Sequence, residues 1–155
     1  MKNNRRMPKV SLDAADHQIL STVADNARIS MADLGRLLGM SPQSAADRLR
    51  RLEDLGVISG FTVKLDREAL GLAVGAYIRI RPAMGELPRV TALLADIPEI
   101  VECDRITGDD CFIAKVFVAR IEDLERVIDR LIPYAQTNTS IIQSSPVRPR
   151  APKYS

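Results

Sequence analysis

Several kinds of chemistry are short of side chains in this sequence. It has no tryptophan, one histidine, His17, and two cysteines, Cys103 and Cys111. A histidine-rich metal site is excluded, and a Ser-His-Asp system would have to be built on His17. The two cysteines follow no metal-ligand spacing, so they read as reduced thiols of a cytosolic chain. No Gly-rich phosphate loop is present. No apolar run approaches the ~20 residues that a membrane span needs. Residues 1–10 are basic and polar with no apolar stretch behind them, which argues against a secretory signal.

What is present is a soluble globular composition, 46% hydrophobic and 27% charged over 155 residues, enough for one ordinary core or two small ones. Net charge is only +2, and its placement says more than its size. Lys2, Arg5, Arg6 and Lys9 make a basic arm, and Arg48, Arg50 and Arg51 make a second cluster. Both point to phosphate.

The two halves have different periods. In the first, Leu12, Ile19, Leu20, Val23, Ala24 and Ala27 form one helical face, with Ser11 or Asp13 to cap it. Ser30 caps a short second helix with Leu34, Leu37 and Leu38 inward and Asp33 at its third position; Gly39 ends it. Ser41 and Pro42 open a third helix with Ala45, Leu49 and Leu52 buried, closed by Gly56. The run Val57-Ile58-Ser59-Gly60-Phe61-Thr62-Val63-Lys64-Leu65 predicts a two-stranded wing.

The second half alternates from Leu72 to Ile80 as a strand does. A helix over 87–97, strands over 99–107 and 111–118, a helix over 121–134 and a strand over 137–144 follow. Gly108-Asp109-Asp110 is the hairpin signal between the middle strands. The order is β-α-β-β-α-β, a ferredoxin-like split unit. The expected fold class is therefore α+β. A basic arm (1–10) precedes a winged helix-turn-helix (11–65), a linker (66–71), the βαββαβ domain (72–144) and a Pro-rich basic tail (145–155), extended or disordered.

Two short capped helices around Leu38-Gly39-Met40 fit a helix-turn-helix, and the outer face of the third helix suits DNA. Ser41, Pro42, Gln43 and Ser44 lie at its N-terminal end, the part that enters the major groove. Gln43 and Ser44 can bond base edges, glutamine most readily adenine. Arg48 can reach a base or a phosphate from the flank, while Arg50 and Arg51 suit phosphates. Asp47 can accept from cytosine or pair with Arg51 four residues on; the pairing is the preferred reading. Lys64 on the wing is a further phosphate candidate.

Leu12-Asp13, Ile19-Leu20, Asp25, Arg28-Ile29-Ser30, Leu34, Gly39-Met40-Ser41-Pro42, Arg48-Leu49-Arg50-Arg51-Leu52-Glu53, Gly56-Val57-Ile58 and Gly60-Phe61 together resemble the Lrp/AsnC family. These are the feast/famine transcriptional regulators, and the resemblance runs from Leu12 to Ser144. It implies a homodimer that assembles into tetramers or octamers through C-terminal RAM domains, bound to double-stranded DNA in the cytoplasm as a nucleoid-associated protein. It also implies an amino-acid effector between subunits, with no cofactor and no metal. The corresponding pocket loop is Thr107-Gly108-Asp109-Asp110-Cys111, faced by Thr137-Asn138-Thr139-Ser140. The Gly108-bearing hairpin can present backbone N–H groups to a carboxylate. Asp109 or Asp110 can take an α-ammonium, and Thr137, Thr139 and Ser140 can supply hydroxyls. Many relatives place an acid where this chain has Cys111; here the acid comes one residue earlier, at Asp110.

Three functions compete on this architecture. They are an effector-modulated regulator, an effector-free DNA-wrapping protein, and an enzyme like the haem-pathway decarboxylases. The last would want basic or histidine side chains in the pocket, whereas the loop carries Asp109 and Asp110.

Overall fold

The computed structural model describes residues 10–147, 149, 150 and 152. The basic arm, Lys2 to Lys9, therefore lies outside the described residues. The chain divides into two compact units between Val63 and Lys64.

The first unit is helical: α1 (Ala14–Asp25), α2 (Met31–Leu38) and α3 (Pro42–Asp54). Every start carries a side-chain cap. Asp13 caps α1 in a reciprocal box with Asp16 at the third position. The Ser30 and Ser41 hydroxyls accept from the N–H groups of Asp33 and Ser44. Each such cap is worth about 1 kcal/mol. Gly39 ends α2 in the left-handed region at φ 65°, where a side chain would be strained. Ile19, Val23, Leu34, Ala45 and Leu52 form the buried centre.

One glycine inside a helix is required for another reason. A Cβ on Gly35 would lie 2.7 Å from the Met40 carbonyl oxygen and 3.1 Å from the Pro42 nitrogen. Both are backbone atoms of the turn between α2 and α3, so the turn closes tightly only over a residue without a side chain.

The two-stranded wing does not form as expected. Residues 57–65 contain no strand. The N–H groups of Val57 and Ile58 instead bond the Leu52 carbonyl, and both side chains pack onto the helical core. Residues 67–71 form a turn.

The second unit runs β1 (Val74–Pro82), α4 (Leu87–Ala95), β2 (Ile100–Arg105), β3 (Phe112–Val118), α5 (Ile121–Leu131) and β4 (Ala135–Ile141). Strand order is β2-β3-β1-β4, with every pair antiparallel. Alternation then sorts the side chains. Ala76, Ile78 and Ile80 of β1 join Phe112, Ala114, Val116 and Val118 of β3 and the buried Val90, Leu94, Leu124, Val127 and Leu131 of the two helices. Tyr77, Arg79 and Arg81 point to the opposite face and are exposed.

Candidate DNA interface and effector loop

Helix α3 presents Ser41, Pro42, Gln43, Ser44, Asp47 and Arg50 to solvent. Its first turn is ordered by the Ser41 cap, and the Ser41 and Ser44 hydroxyls are 2.8 Å apart. The Gln43 amide donates to Asp47 Oδ1 at 3.0 Å, which places both polar groups on one outer row. Arg50 lies 3.6 Å from the same Asp47 oxygen.

The preferred Asp47–Arg51 pairing is corrected. Asp47 takes Gln43 and Arg50 as partners, and Arg51 turns to α1. Its Nη1 donates to Asp16 Oδ2 at 3.1 Å. Arg48, expected at a base or phosphate, also turns inward. Its Nη1 donates to Asp13 Oδ2 at 2.8 Å and to Asp16 Oδ1 at 2.9 Å. Asp16 is only 1% exposed. A buried carboxylate needs such partners, because an unpaired charge there costs several kcal/mol.

The electrostatics follow the geometry. The Asp13 carboxyl is held below its usual value, first by the Asp16 N–H and then by Arg48. Arg48 is raised above its usual value, chiefly by its bonds to Asp13 and Asp16. No local spacing rule could find this cluster, since its partners lie 32 to 35 residues apart. Lys64 is exposed, beyond the boundary of the helical unit.

The hairpin between β2 and β3 is pinned by the Ile106 N–H on the Cys111 carbonyl and the Cys111 N–H on the Ile80 carbonyl. Gly108 sits at φ 119°, which only glycine adopts readily. Asp109 and Asp110 face two arginines that sequence reasoning had not placed. Arg81 approaches Asp109 at 3.7 Å and Asp110 at 3.9 Å, and Arg79 approaches Asp110 at 3.9 Å. The signal was available: Tyr77, Arg79 and Arg81 alternate with the buried residues of β1.

The other loop candidates diverge. Cys111 packs against the sheet core. Thr137 and Thr139 pair with Ile80 and Ile78, so they share the helix-covered side; Ser140 pairs with Tyr77 on the other. Ser140 and the two threonines therefore cannot approach a ligand from one face. Asn138, two residues before Ser140 and so on the same face, accepts from Arg79 at 3.0 Å. Arg81 also lines a shallow groove of about 420 Å³ with Pro82, Ala83, Ile132, Tyr134 and Gln136. Both cysteines are free thiols; burial and then Asp104 push Cys103 above its ordinary value.

A helix-turn-helix unit with a polar outer recognition helix, followed by a separate sheet-and-helix unit, is the architecture of a two-domain DNA-binding protein. Residues 12–59 match the winged helix-turn-helix DNA-binding model, and residues 75–152 match the Lrp/AsnC ligand binding domain. LrpC, a transcriptional regulator of Bacillus subtilis, is 33% identical over 135 residues, covering 87% of this chain and 94% of LrpC. The solved LrpC structure superimposes with a TM-score of 0.83 over 88% of this chain and 97% of that one, at 33% identity. The feast or famine regulatory protein of M. tuberculosis, solved with L-methionine, gives a TM-score of 0.84 at 26% identity, covering 91% and 98% of the two chains. The chain belongs to the Lrp/AsnC family of DNA-binding transcriptional regulators. Among the described residues no helix is long and apolar enough to cross a membrane.

Proposed function

We propose that this regulator reads a specific operator through the N-terminal half of α3, as a homo-oligomer whose assembly is biased by an amino acid. The observation that carries the reading is the outer row of α3. Gln43, Ser44 and Asp47 stand exposed on a capped helix end, with Arg50 one turn on. Gln43 and Ser44 side chains meet base edges, and Arg50 and the Gln43 backbone N–H meet phosphate.

The ligand part of the reading is supported by charge. Asp109 and Asp110 match an α-ammonium, and Arg81 between them and the groove matches a carboxylate. The hairpin at Gly108 adds backbone N–H groups. At 3.7 to 3.9 Å these ion pairs are loose enough to exchange for a zwitterion. The methionine-bound relative supports the same class of ligand. Self-association is supported by exposed apolar side chains, Phe61, Val63 and Leu65 after the helices and Tyr77 and Val101 in the second unit. The regulator needs no cofactor and works in the cytoplasm. Catalysis has less support, because the loop acids already face arginines and His17 lies on α1.

An effector can act only by binding one assembly better than another. Footprinting on selected DNA tests the first half, and purely sequence-independent binding would sink it. Light scattering with and without each common amino acid, alongside thermal shift, tests the second. Identical assemblies and melting temperatures throughout would leave a DNA-wrapping protein without an effector.

A further inference from the structure

Arg48 and Arg51 lie on the recognition helix, yet their guanidinium groups point back at α1. Asp16 receives one on each carboxylate oxygen, at 2.9 and 3.1 Å. It is also the third residue of α1, where its Oδ2 accepts the Asp13 N–H at 3.2 Å while its own N–H donates to Asp13 Oδ1 at 2.8 Å. Asp13 then shares Arg48, at 2.8 Å. One buried carboxylate thus ties the start of α1 to two successive turns of α3.

We propose that Asp16 is a positioning residue for DNA reading: it fixes the rotation and tilt of α3 against α1, and it withholds Arg48 and Arg51 from the phosphate backbone. Two consequences follow from one cluster. Base-edge contacts tolerate errors of only a few tenths of an ångström in donor–acceptor distance, so the pose of α3 governs specificity. Free arginines on a recognition helix raise affinity for any duplex, because phosphate contacts are blind to sequence. Holding two of them back lowers the non-specific background. The arrangement therefore acts on the ratio of specific to non-specific binding more than on either affinity alone.

Charge is the part that can be removed with little change of shape. In Asp16→Asn the side chain keeps its size and an oxygen to accept a hydrogen bond, and loses the ionic hold on both arginines. The probes are a duplex selected from a random pool by the wild-type protein and a scrambled duplex of equal length. The expected result is a fall of about tenfold or more in the ratio of the two affinities. Scrambled-duplex binding strengthens, with a salt slope steeper by roughly one for each arginine that reaches a phosphate. An unchanged ratio, or an equal loss on both duplexes with no change in slope, overturns the proposal.

Should Asp16→Asn fail to fold, Arg51→Gln and Arg50→Gln decide, because both side chains are about half exposed or more. Arg51→Gln leaves the salt slope on scrambled DNA unchanged and lowers the ratio, since Arg51 serves Asp16. Arg50→Gln reduces the slope by about one, since Arg50 serves phosphate. A slope reduced by Arg51→Gln as much as by Arg50→Gln refutes the withholding of Arg51.

Discussion

Two charge clusters, one in each unit, hold their ionic groups in opposite ways. In the helical unit, Arg48 and Arg51 sit 2.8 to 3.1 Å from carboxylates, one of them buried. In the sheet unit, Arg79 and Arg81 sit 3.7 to 3.9 Å from Asp109 and Asp110, and Asp109 is 95% exposed. The first arrangement is part of the scaffold. The second contributes little to stability and leaves its charges available to a ligand. Rigidity is thus concentrated where a helix must be aimed, and looseness where a small molecule would exchange partners.

The two largest effects are of similar size and both fall in the helical unit; the first comes from filling the turn beneath the recognition helix. Gly35→Ala would drive a methyl group against the Met40 and Pro42 backbone. Overpacking of this kind costs about 1–3 kcal/mol, and the gain in helix propensity, about 1 kcal/mol, does not reposition the turn. Urea unfolding should show a loss of about 2 kcal/mol, and gel shift a loss of operator binding. A stability at or above wild type would mean that the turn can open without cost.

Asp16→Ala tests the tight pairs directly. Breaking a buried pair costs about 3–5 kcal/mol; because the arginines here keep partial access to water, we expect about 2–3 kcal/mol in the same assay. A loss below about 0.5 kcal/mol, the range of a surface pair, would erase the contrast between the units.

How legible these features were depends on the range of the interaction. Ser30, Gly39, Ser41 and Pro42 act within one turn of their helix, and the sequence locates them to the residue. The strands of the second unit were equally plain, because alternation is local; the run read from Leu72 to Ile80 is β1, Val74–Pro82. The wing failed for a reason outside its own residues. Val57 to Leu65 has β-forming side chains, but a strand needs a partner edge, and here Val57 and Ile58 find the helical core first. Arg51 had a carboxylate four residues away in Asp47, and spacing favoured it. The buried Asp16, distant in sequence, offered shorter bonds. The opposite faces of Thr139 and Ser140 could have been read from alternation alone, and so could the arginine row of β1.

A smaller effect separates Asp13 from its neighbours by pH. Its carboxyl is lowered from 3.8, first by the Asp16 N–H and then by Arg48. A carboxylate with a depressed folded-state value contributes stability in full above its unfolded value, and loses it as pH falls through the folded one. Asp13→Asn preserves a good helix cap but cannot titrate. The gap in melting temperature between wild type and this variant should be constant at neutral and mildly acidic pH. It should begin to close near 3.8 and vanish below the lowered value. A gap that widens with acid would show that the charge on Asp13 destabilises the folded unit.

The smallest effect is expected at the hairpin. Asp110→Ala removes the acid that faces both Arg79 and Arg81. Exposed pairs contribute about 0–1 kcal/mol, and at 3.9 Å no short hydrogen bond is lost. Urea unfolding should therefore place the variant within about 0.5 kcal/mol of wild type, against the several-fold larger loss from Asp16→Ala. Arg81 keeps Asp109 and Arg79 keeps Asn138, and both arginines are half exposed and recover water. A loss comparable to that of Asp16→Ala would make the hairpin acids part of the scaffold, and the sheet unit would then hold its charges as the helical unit does.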